Sequence, residues 1–527
     1  MSQGFSGRSD VLAKNGLVAT SQPLATQAGL RVLQAGGNAI DAAIAAAAVL
    51  DVVEPFSTGC GGDAFALIHM PGAKKPLSYN GSGRAGSLVS FEELKEKGWT
   101  EIPLLGGASV TVPGAMHLWF YLVEQHGSLE MSEVLCDAIH YAREGFPVSP
   151  IIARSWAGNV DGLLNDAAKG IFMPNGRAPL TGDIMRNRDL AATFERLSRE
   201  GVDAFYAGDI AEAIVNTVQN HDGFLTMDDM ERHRSLQTEP ISTDYRGLRV
   251  YEHPPNGQGF AALEMLNLME EYNISGYDSL AAERFHIMIE AKKLAYADLM
   301  QHCADPEFYK VPIPQLISKV YSKTRAELIK MNEASDSFST GIPLGQDTIY
   351  LCTADSDGQA VSFINSLYLG FGSGLVVPGT GIKLHCRGNL FSLDPGHPNR
   401  YEPGKLPFHT IIPGALYEGD HFHGAFGIMG GAHQAQAHAQ FVSNIVDHEM
   451  FPQQAIDHPR FNHDQGSNTV AVEAGVPQTV QIELLRLGHT IVESPMAAFG
   501  GGQAILRCGS GWIAGSDHRK DGMAAGF

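Results

Sequence analysis

The sequence predicts an α+β fold, in which helices and strands fall into separate runs along the chain. One observation is a hairpin pattern: a β-type run that ends at Ala354 and a second one over residues 359–367 flank a short turn that ends at Gly358. A second observation is the helical periodicity that dominates residues 132–331. A third is the end of the chain, where short β-type runs alternate with one helix pattern over residues 478–487.

Size and composition narrow the class of protein. A chain of 527 residues exceeds a usual single domain, so we expect one large composite core or two domains. The formal net charge of −21 argues against nucleic-acid binding, which favours basic patches. The longest apolar run, residues 39–53, contains Asp41 and Asp51 and is too short to cross a bilayer. Six cysteines without CxxC spacing indicate free thiols, and the first residues lack an apolar signal region, so we expect a cytoplasmic protein without a membrane or nucleic-acid partner.

The first elements are two helices separated by a glycine turn. Residues 24–34 have helical spacing and are followed by Gly36 and Gly37, which suit a helix C-terminus. Asn38 can cap the next helix over residues 39–53. The near-continuous Ala, Val, Ile and Leu of this second helix predict burial on most of its sides.

A glycine-dense turn over residues 54–63 leads into a predicted strand over residues 64–69. Its glycines allow a close approach of the backbone to a ligand or to a neighbouring strand. A phosphate-binding loop would continue with Lys-Ser/Thr into a helix, whereas this turn continues into a strand. We therefore expect no nucleotide cofactor.

One arginine, Arg84, lies in a polar, glycine-rich loop over residues 80–86. Arginine binds a carboxylate through two parallel hydrogen bonds, although a single loop arginine is also commonly solvated. Residues 110–114 then predict a short strand that leads into a helix over residues 115–125.

The middle of the chain contains no compact motif and predicts a helical scaffold. Its helices are expected over residues 132–143, 188–200, 209–220, 261–269, 280–301 and 321–331, with one β-type piece over residues 243–251.

The hairpin brings two hydroxyl side chains together. If residues 356–358 form a three-residue loop, the pairing across the hairpin places Thr348 opposite Ser366. The preceding residues, 331–343, are loose and polar, as in a loop that can be cut. A threonine that becomes a chain terminus can use its own α-amine as the general base. Thr348 is therefore a candidate nucleophile.

Gly430 and Gly431 lie between a predicted strand over residues 421–428 and a predicted helix over residues 433–446. Backbone N–H groups at a helix N-terminus carry the positive end of the helix dipole and can stabilise an oxyanion. A tight strand-to-helix turn would use the same two glycines. A further strand is expected over residues 410–416.

Twenty-one histidines raise the question of a metal site. The densest group consists of His421, His423, His433 and His438. A helix would place His433 and His438 on different faces, and the sequence has neither HExxH nor paired Cys/His spacing. We therefore expect neither a metal nor an organic cofactor.

Taken together, these motifs resemble the γ-glutamyltransferase (glutathione hydrolase) family of N-terminal-nucleophile hydrolases. The most specific match is the pattern around the hairpin, formed by Thr348, Gly358, Val361, Ser362, Ser366, Phe371 and Gly372. Further matches lie at residues 36–43, 61–63, 112–114, 429–431, 455–461 and 517–522, so the resemblance covers almost the whole chain.

The resemblance implies a four-layer αββα sandwich and self-cleavage between Asp347 and Thr348. The products would be a large subunit, residues 1–347, and a small subunit, residues 348–527, that remain one composite fold. Thr348 would be the nucleophile of both self-cleavage and turnover, and no cofactor would be needed. The resemblance leaves open a homodimer of such heterodimers.

The resemblance also assigns roles to single residues. Ser366 stands where the family has a threonine that hydrogen-bonds the nucleophile, and Gly430 and Gly431 stand at its oxyanion hole. Arg84 is the candidate for the arginine that holds the substrate's carboxylate, although the loop around it departs from the family's Arg-Glu-x-Ala-Pro.

Other departures concern the recognition of the substrate. Tyr350 replaces a histidine of the family, and Tyr368 replaces an asparagine that contacts substrate. Arg387 replaces a neutral residue, and Leu390 replaces the acid that pairs with the α-amine of a γ-glutamyl group. The pair His409 and Thr410 replaces two serines that contact the α-carboxylate.

Three functions follow as hypotheses. The first is a γ-glutamyl hydrolase or transferase that acts on glutathione-like donors. The second is a cephalosporin acylase-like or oxamate amidohydrolase-like enzyme for a carboxylate-bearing acyl group without an α-amine, which Arg387 and Leu390 favour. The third is an uncleaved binding protein that has kept the fold and lost the reaction.

Overall fold

The computed structural model describes residues 7–335 and 347–527. The strands are β1 (Val11–Ala13), β2 (Leu17–Thr20), β3 (Asp63–His69), β4 (Leu77–Gly81), β5 (Phe146–Pro147), β6 (Ile184–Met185), β7 (Leu236–Thr238), β8 (Ile241–Tyr245), β9 (Leu248–Glu252), β10 (Asp347–Ala354), β11 (Ala360–Tyr368), β12 (Gly414–Glu418), β13 (His421–Met429), β14 (Phe461–His463), β15 (Thr469–Val472), β16 (Thr490–Val492), β17 (Gly501–Cys508), β18 (Gly511–Ser516) and β19 (Met523–Gly526). The α-helices are α1 (Pro23–Gln34), α2 (Ala39–Val53), α3 (Phe91–Glu96), α4 (Ala115–His126), α5 (Met131–Val134), α6 (Cys136–Glu144), α7 (Pro150–Ala157), α8 (Asp166–Phe172), α9 (Arg188–Glu200), α10 (Asp203–Tyr206), α11 (Asp209–Gln219), α12 (Met227–Arg232), α13 (Gly259–Glu270), α14 (Ala282–His302), α15 (Ile313–Leu316), α16 (Lys319–Ala326), α17 (His433–Val446), α18 (Pro452–Asp457) and α19 (Gln478–Arg486).

Two seven-stranded sheets form the centre of the molecule. One, the β10 sheet, has the strand order β19-β2-β10-β11-β3-β4-β7, and the other, the β13 sheet, has the order β1-β18-β17-β13-β12-β9-β8. Their inner faces pack together through an apolar core that includes Phe65 and Tyr350 from the first sheet and Tyr417, Met429 and Trp512 from the second.

Helices cover the outer face of each sheet. Side chains of α1, α2, α4, α6 and α9 share one core with the β10 sheet. Side chains of α13, α14, α17 and α19 share another with the β13 sheet. The layers therefore run helix, sheet, sheet, helix, which confirms the αββα sandwich.

Strands from both expected subunits alternate within the sheets. In the β10 sheet, β19, β10 and β11 come from the C-terminal third of the chain, and β2, β3, β4 and β7 come from before it. Thus β10 lies in the middle of the sheet, between β2 and β11.

The hairpin of β10 and β11 has the expected loop over residues 356–358. Pairing from Ala354↔Ala360 to Ile349↔Asn365 follows the expected register, and Gly358 has the positive φ of 92° that such a loop needs. The register shifts between Asp347 and Ile349, so the ladder is irregular at Thr348 itself.

The buried helix α2 has the bounds that the sequence predicts. The Asn38 side chain accepts hydrogen bonds from the N–H groups of Ile40 and Asp41, and the Asp41 side chain accepts one from the N–H of Asn38. This capping box starts the helix, and all its residues are buried.

Some expected elements differ. Residues 110–114 form no strand, because Val112 N–H bonds to the Arg84 carbonyl and Gly114 N–H bonds to that of Gly62, both in loops. The β-type piece at residues 243–251 divides into β8 and β9 at a turn where Arg246 and Gly247 have positive φ.

None of the helices in the described residues is both long enough and apolar enough to cross a membrane.

Candidate active site

Three polar residues lie at the same end of three adjacent strands of the β10 sheet. Thr348 is the second residue of β10, Ser366 lies near the end of β11, and Asp63 begins β3. Ser366 pairs directly with Asp63 across the two strands. All three side chains are buried, and Thr348 is 1% exposed.

The two hydroxyls that the sequence places together are in contact. Thr348 Oγ1 lies 3.0 Å from Ser366 Oγ. Ser366 Oγ also accepts a hydrogen bond of 2.9 Å from Tyr368 N–H and one of 3.0 Å from Arg387 Nη2. Ser366 therefore connects the candidate nucleophile with a buried cation.

Arg387 begins a 3₁₀ turn over Arg387–Leu390 and is fully buried. Its Nη1 donates to Thr410 Oγ1 at 2.8 Å, and its guanidinium lies 4.6 Å from the centre of the Tyr368 ring. Burial lowers the pKa of Arg387, and the charge of Asp63 counteracts this effect. Four residues that the sequence marks as candidates, Ser366, Tyr368, Arg387 and Thr410, thus form one cluster.

Asp63 is a member of this cluster to which the sequence assigns no role. Its Oδ1 accepts from Gly83 N–H at 3.1 Å, while its Oδ2 lies 3.2 Å from His409 Nε2 and 3.6 Å from His385 Nδ1. Burial acts to raise the pKa of Asp63, but His385, His409 and Arg387 outweigh it and hold this pKa at about 2. The carboxylate is thus an anion in the folded protein.

The two histidines beside Asp63 are neutral. Burial and the charge of Arg387 lower the pKa of His409 to about 3. His385 Nδ1 accepts from Arg387 N–H at 3.1 Å, and its Nε2 faces the Thr111 carbonyl at 3.1 Å, which assigns its proton to Nε2. Burial also lowers the pKa of His385. The cluster therefore holds one anion, Asp63, and one cation, Arg387.

Tyr368 has an unusual backbone conformation. Its φ of 79° lies in the left-handed region, which bulky residues rarely adopt. This conformation directs the Tyr368 N–H to Ser366 Oγ and places the ring against Arg387. The sequence gives no indication of this conformation.

The glycine pair forms the expected turn between β13 and α17. Gly430 and Gly431 have φ of 136° and 58°, which favour glycine. Gln258 Nε2 donates to the Gly431 carbonyl at 2.9 Å, and it also donates to the Thr410 carbonyl. Farther back along β13, a side chain at Gly427 would overlap the Tyr350 ring, so β13 passes close to β10. The role of the two glycines as an oxyanion hole stays a prediction.

Among the described residues, the ion-pair and hydrogen-bond partners of the Arg84 side chain lie outside this cluster. Its Nη1 lies 3.2 Å from Asp305 Oδ2 and 2.9 Å from the Gly404 carbonyl, and its Nη2 lies 2.9 Å from Glu307 Oε1. It also lines a cavity of about 390 Å³. The role of Arg84 in substrate binding stays a prediction.

The four histidines that lie closest together in the sequence, His421, His423, His433 and His438, do not form a metal-ligand group in the described residues. His438 Nδ1 faces Glu252 at 2.8 Å, and its Nε2 accepts from Ile428 N–H. Among the described residues, one group has metal-ligand atoms close together, namely His286, Glu290 and His489, which lie within 4.8 Å of one another. Glu290 in this group already pairs with Lys293 at 2.6 Å.

Comparisons with known proteins identify the family of this chain. The gamma-glutamyltranspeptidase family model matches residues 25–527. A glutathione hydrolase-like proenzyme of Bacillus subtilis, YwrD, is 37% identical over 526 residues, which are 98% of this chain and 99% of the relative. The oxamate amidohydrolase proenzyme of Klebsiella pneumoniae is 32% identical over 530 residues, with 98% and 99% covered.

A solved structure shows the same fold. The crystal structure of cephalosporin acylase from Bacillus halodurans superimposes with a TM-score of 0.94 and 43% identity, and the match covers 100% of this chain and 98% of that one. The family match extends from α1 to the last residue and includes every residue of the cluster around Thr348. The chain therefore belongs to the gamma-glutamyltranspeptidase family, and it is a proenzyme-derived N-terminal-nucleophile hydrolase that acts on amides.

Proposed function

We propose that this protein cleaves itself before Thr348 and then uses Thr348 to hydrolyse amides whose acyl group carries a carboxylate. The observation that carries the proposal is the cluster of Thr348, Ser366 and the buried Arg387. It combines a hydroxyl nucleophile with a fixed positive charge that contacts the same serine.

Self-cleavage creates the catalytic base. Thr348 Oγ1 attacks the carbonyl carbon of Asp347, an ester C–O bond forms, and the C–N bond between the two residues breaks. The Thr348 nitrogen takes up the proton of the hydroxyl and becomes an amine. Water then hydrolyses the ester, which leaves the Asp347 carboxylate and a free Thr348 hydroxyl on a new chain terminus.

Turnover repeats this chemistry on a substrate amide. The α-amine of Thr348, with a pKa of about 8 in model peptides, takes the hydroxyl proton as Oγ1 attacks the substrate carbonyl. The N–H groups of Gly430 and Gly431 are the candidates that stabilise the tetrahedral oxyanion. The amine product leaves with a proton, and water or an acceptor amine resolves the acyl ester.

Arg387 gives the preference for a carboxylate. Within the part of the chain that the structure describes, no carboxylate forms an ion pair with Arg387, and its Nε has no hydrogen-bond partner. A buried guanidinium with unused N–H groups favours an anionic ligand. The names of the relatives agree with a carboxylate-bearing substrate, because γ-glutamyl groups and oxamate both carry a carboxylate.

Two donor classes share this carboxylate. The first is γ-glutamyl amides of the glutathione type, which agrees with the glutathione hydrolase-like relative. The second is acyl groups without an α-amine, and Leu390 favours it. Leu390 is fully buried in the apolar core with Phe408 and Ile412, so it offers no charge to an ammonium group.

A comparison of γ-glutamyl- and glutaryl-p-nitroanilide distinguishes the two classes, because they differ only in the α-amine. A higher kcat/KM for the glutaryl compound supports the second class, and a strong preference for the γ-glutamyl compound excludes it. Replacement of Arg387 by Gln should raise KM for both compounds. If neither is hydrolysed by cleaved, folded protein, the proposed donor chemistry is wrong.

A denaturing gel tests the enzyme against the alternative of an uncleaved binding protein. Purified protein should give two bands, which correspond to residues 1–347 and 348–527, in place of one at 56.6 kDa. Thr348→Ala should leave the single band. A wild-type chain that never splits would support the binding protein.

The compartment and the assembly belong to the same proposal. Cysteine usage supports a cytoplasmic enzyme, which fractionation of cells that produce the native protein would test. Sedimentation of the cleaved enzyme would separate a single two-chain unit from a homodimer of such units.

A further inference from the structure

Two hydrogen bonds that Ser366 accepts favour one direction for its contact with Thr348. A serine hydroxyl has two lone pairs and one hydrogen. Tyr368 N–H and Arg387 Nη2 donate to Ser366 Oγ and occupy both lone pairs. Either hydroxyl can be the donor in the 3.0 Å contact between Ser366 Oγ and Thr348 Oγ1, and the two bonds that Ser366 accepts favour Ser366 as the donor.

We propose that Arg387 is a positioning residue for the Thr348 nucleophile and acts through Ser366, in addition to any contact with substrate. Its guanidinium keeps the Ser366 hydroxyl turned toward Thr348 Oγ1. The positive charge also polarises that hydroxyl, because a hydrogen bond to a charged donor strengthens the next one in the series.

This arrangement helps the attack of Thr348. A hydrogen bond donated to Thr348 Oγ1 stabilises the negative charge that develops on this oxygen as its proton leaves. It also directs the Thr348 hydroxyl proton away from Ser366, so the proton can pass to the nitrogen of Thr348. The inference rests on Thr348 being the nucleophile, as proposed above.

Arg387 has enough donors for both roles. Arginine has five N–H groups, and the contacts with Ser366 and Thr410 use one on each Nη. The Nε–H has no partner among the described residues. A substrate carboxylate can therefore bind Arg387 without displacing Ser366.

Asp63 balances the charge without competing for these donors. It faces His409 and His385 and acts on Arg387 only through its charge, which favours the charged guanidinium. A direct ion pair would turn the N–H groups away from Ser366. Because Asp63 does not form an ion pair with Arg387, the guanidinium stays cationic and its N–H group still points at Ser366.

Self-cleavage tests this role, because it uses Thr348 and needs no substrate. The rate at which the purified precursor splits is followed on denaturing gels for wild type, Arg387→Gln, Ser366→Ala and the double variant. Arg387→Gln should slow splitting about 10- to 100-fold, the factor for one hydrogen bond to a charged group. In the Ser366→Ala background the same change should have no further effect.

Two results would overturn the inference. One is an Arg387→Gln precursor that splits at the wild-type rate, which would restrict Arg387 to substrate binding. The other is equal slowing with and without Ser366, which would show that Arg387 does not act through it. A wild-type chain that fails to split would instead refute the proposed function.

Controls separate this effect from damage to the fold. Arg284 is a second buried arginine, bonded to Asn444 at 2.7 Å on the far side of the β13 sheet, and Arg284→Gln should leave the splitting rate of folded protein unchanged. If Arg387→Gln does not fold, the pair Asp63→Asn and Arg387→Met removes both buried charges together, which cores often tolerate. This pair should split as slowly as expected for Arg387→Gln, and a wild-type rate would overturn the inference.

Turnover supplies a second measurement. On a neutral substrate such as butyryl-p-nitroanilide, which has no carboxylate to bind, Arg387→Gln should lower kcat by the same factor with little change in KM. An unchanged kcat on this substrate would mean that Arg387 only binds the substrate carboxylate, and it would contradict the inference.

Discussion

At the scale of the residue, Ser366 contacts the candidate nucleophile, a buried cation and a backbone N–H group. Its hydroxyl contacts Thr348, Arg387 and the N–H of Tyr368 at 2.9 to 3.0 Å. A hydroxyl oxygen that accepts from two fixed N–H groups has a restricted orientation. Ser366 thus transmits the position of Arg387 to Thr348.

Ser366→Ala should slow both self-cleavage and turnover about 10- to 100-fold, because Thr348 loses a hydrogen-bond partner and Arg387 loses an acceptor. The measurement is kcat on a p-nitroanilide together with the splitting rate of the precursor. Ser362 is a matched control on the same strand, since its hydroxyl lies 2.7 Å from Tyr350 OH. Ser362→Ala should leave kcat unchanged, and an unchanged kcat for Ser366→Ala would refute the assigned contact.

The sequence predicts part of the site at this scale. It brings Thr348 and Ser366 together from hairpin pairing alone, which is local in the chain. It gives no role to Asp63, because the contact of Asp63 with His409 joins residues 346 positions apart in the chain. A polar residue directly after a glycine-dense turn, at the start of a buried strand, is the signal that would have pointed to it.

At the scale of the element, the turn from β13 to α17 is specified by glycine. A Cβ on Gly430 would lie 3.2 Å from the Gly500 backbone, and the φ of 136° excludes other residues without strain. The turn therefore holds a backbone path that only this residue type allows.

Gly430→Ala keeps the backbone N–H but should displace it, because alanine is strained at this φ. We therefore expect kcat to fall about 10²- to 10³-fold, the loss associated with one oxyanion donor, while KM changes little. Gly419 is the control, because it also has a positive φ, 60°, but among the described residues only its own chain neighbours come within 4 Å of its Cβ position. Gly419→Ala should cost about 1–2 kcal/mol of unfolding free energy and leave kcat intact. Equal effects of the two changes on kcat would argue against an oxyanion hole at Gly430.

Elements with local signals were predicted, and those that depend on distant partners were not. The helix α2 carries its own cap and apolar run, and its bounds match. Residues 110–114 have strand-like composition, but their N–H groups bond to loop carbonyls at Arg84 and Gly62. Composition does not reveal which distant backbone accepts these bonds.

At the scale of the whole molecule, buried neutral histidines tie stability to pH. His253 is fully buried and stacks on Phe65, with ring centres 4.0 Å apart, and burial lowers its pKa to about 3. The unfolded chain binds this proton near pH 6.5, so stability is present above that pH and is lost as pH falls toward 3. Asp63, with its pKa of about 2, adds a loss only below about pH 4.

The melting temperature of the single-chain Thr348→Ala variant should therefore fall between pH 8 and pH 5. His253→Gln should lower the melting temperature at pH 8 but flatten this fall. The same change at the exposed His421 should leave the curve unaltered. A curve with equal slope in all three proteins would contradict the assignment of buried histidines as the cause.

The alternation of strands predicts how the two subunits behave after cleavage. Because β10 and β11 lie between β2 and β3 in one sheet, separation would break ladders on both sides of the pair. The cleaved chains should co-elute in size-exclusion chromatography and separate only in denaturant. Two peaks under native conditions would show that the sheet does not hold the chains together.

The position of β10 also changes the kinetics of recovery from denaturation. Before the cut, folding is a first-order process within one molecule, and its rate does not depend on protein concentration. After the cut, the same sheet has to be rebuilt by a collision between two molecules, so regain of structure becomes second-order and fails on dilution. The mature enzyme therefore acquires its native state while it is still a single chain. After unfolding at low concentration, we expect it not to regain that state.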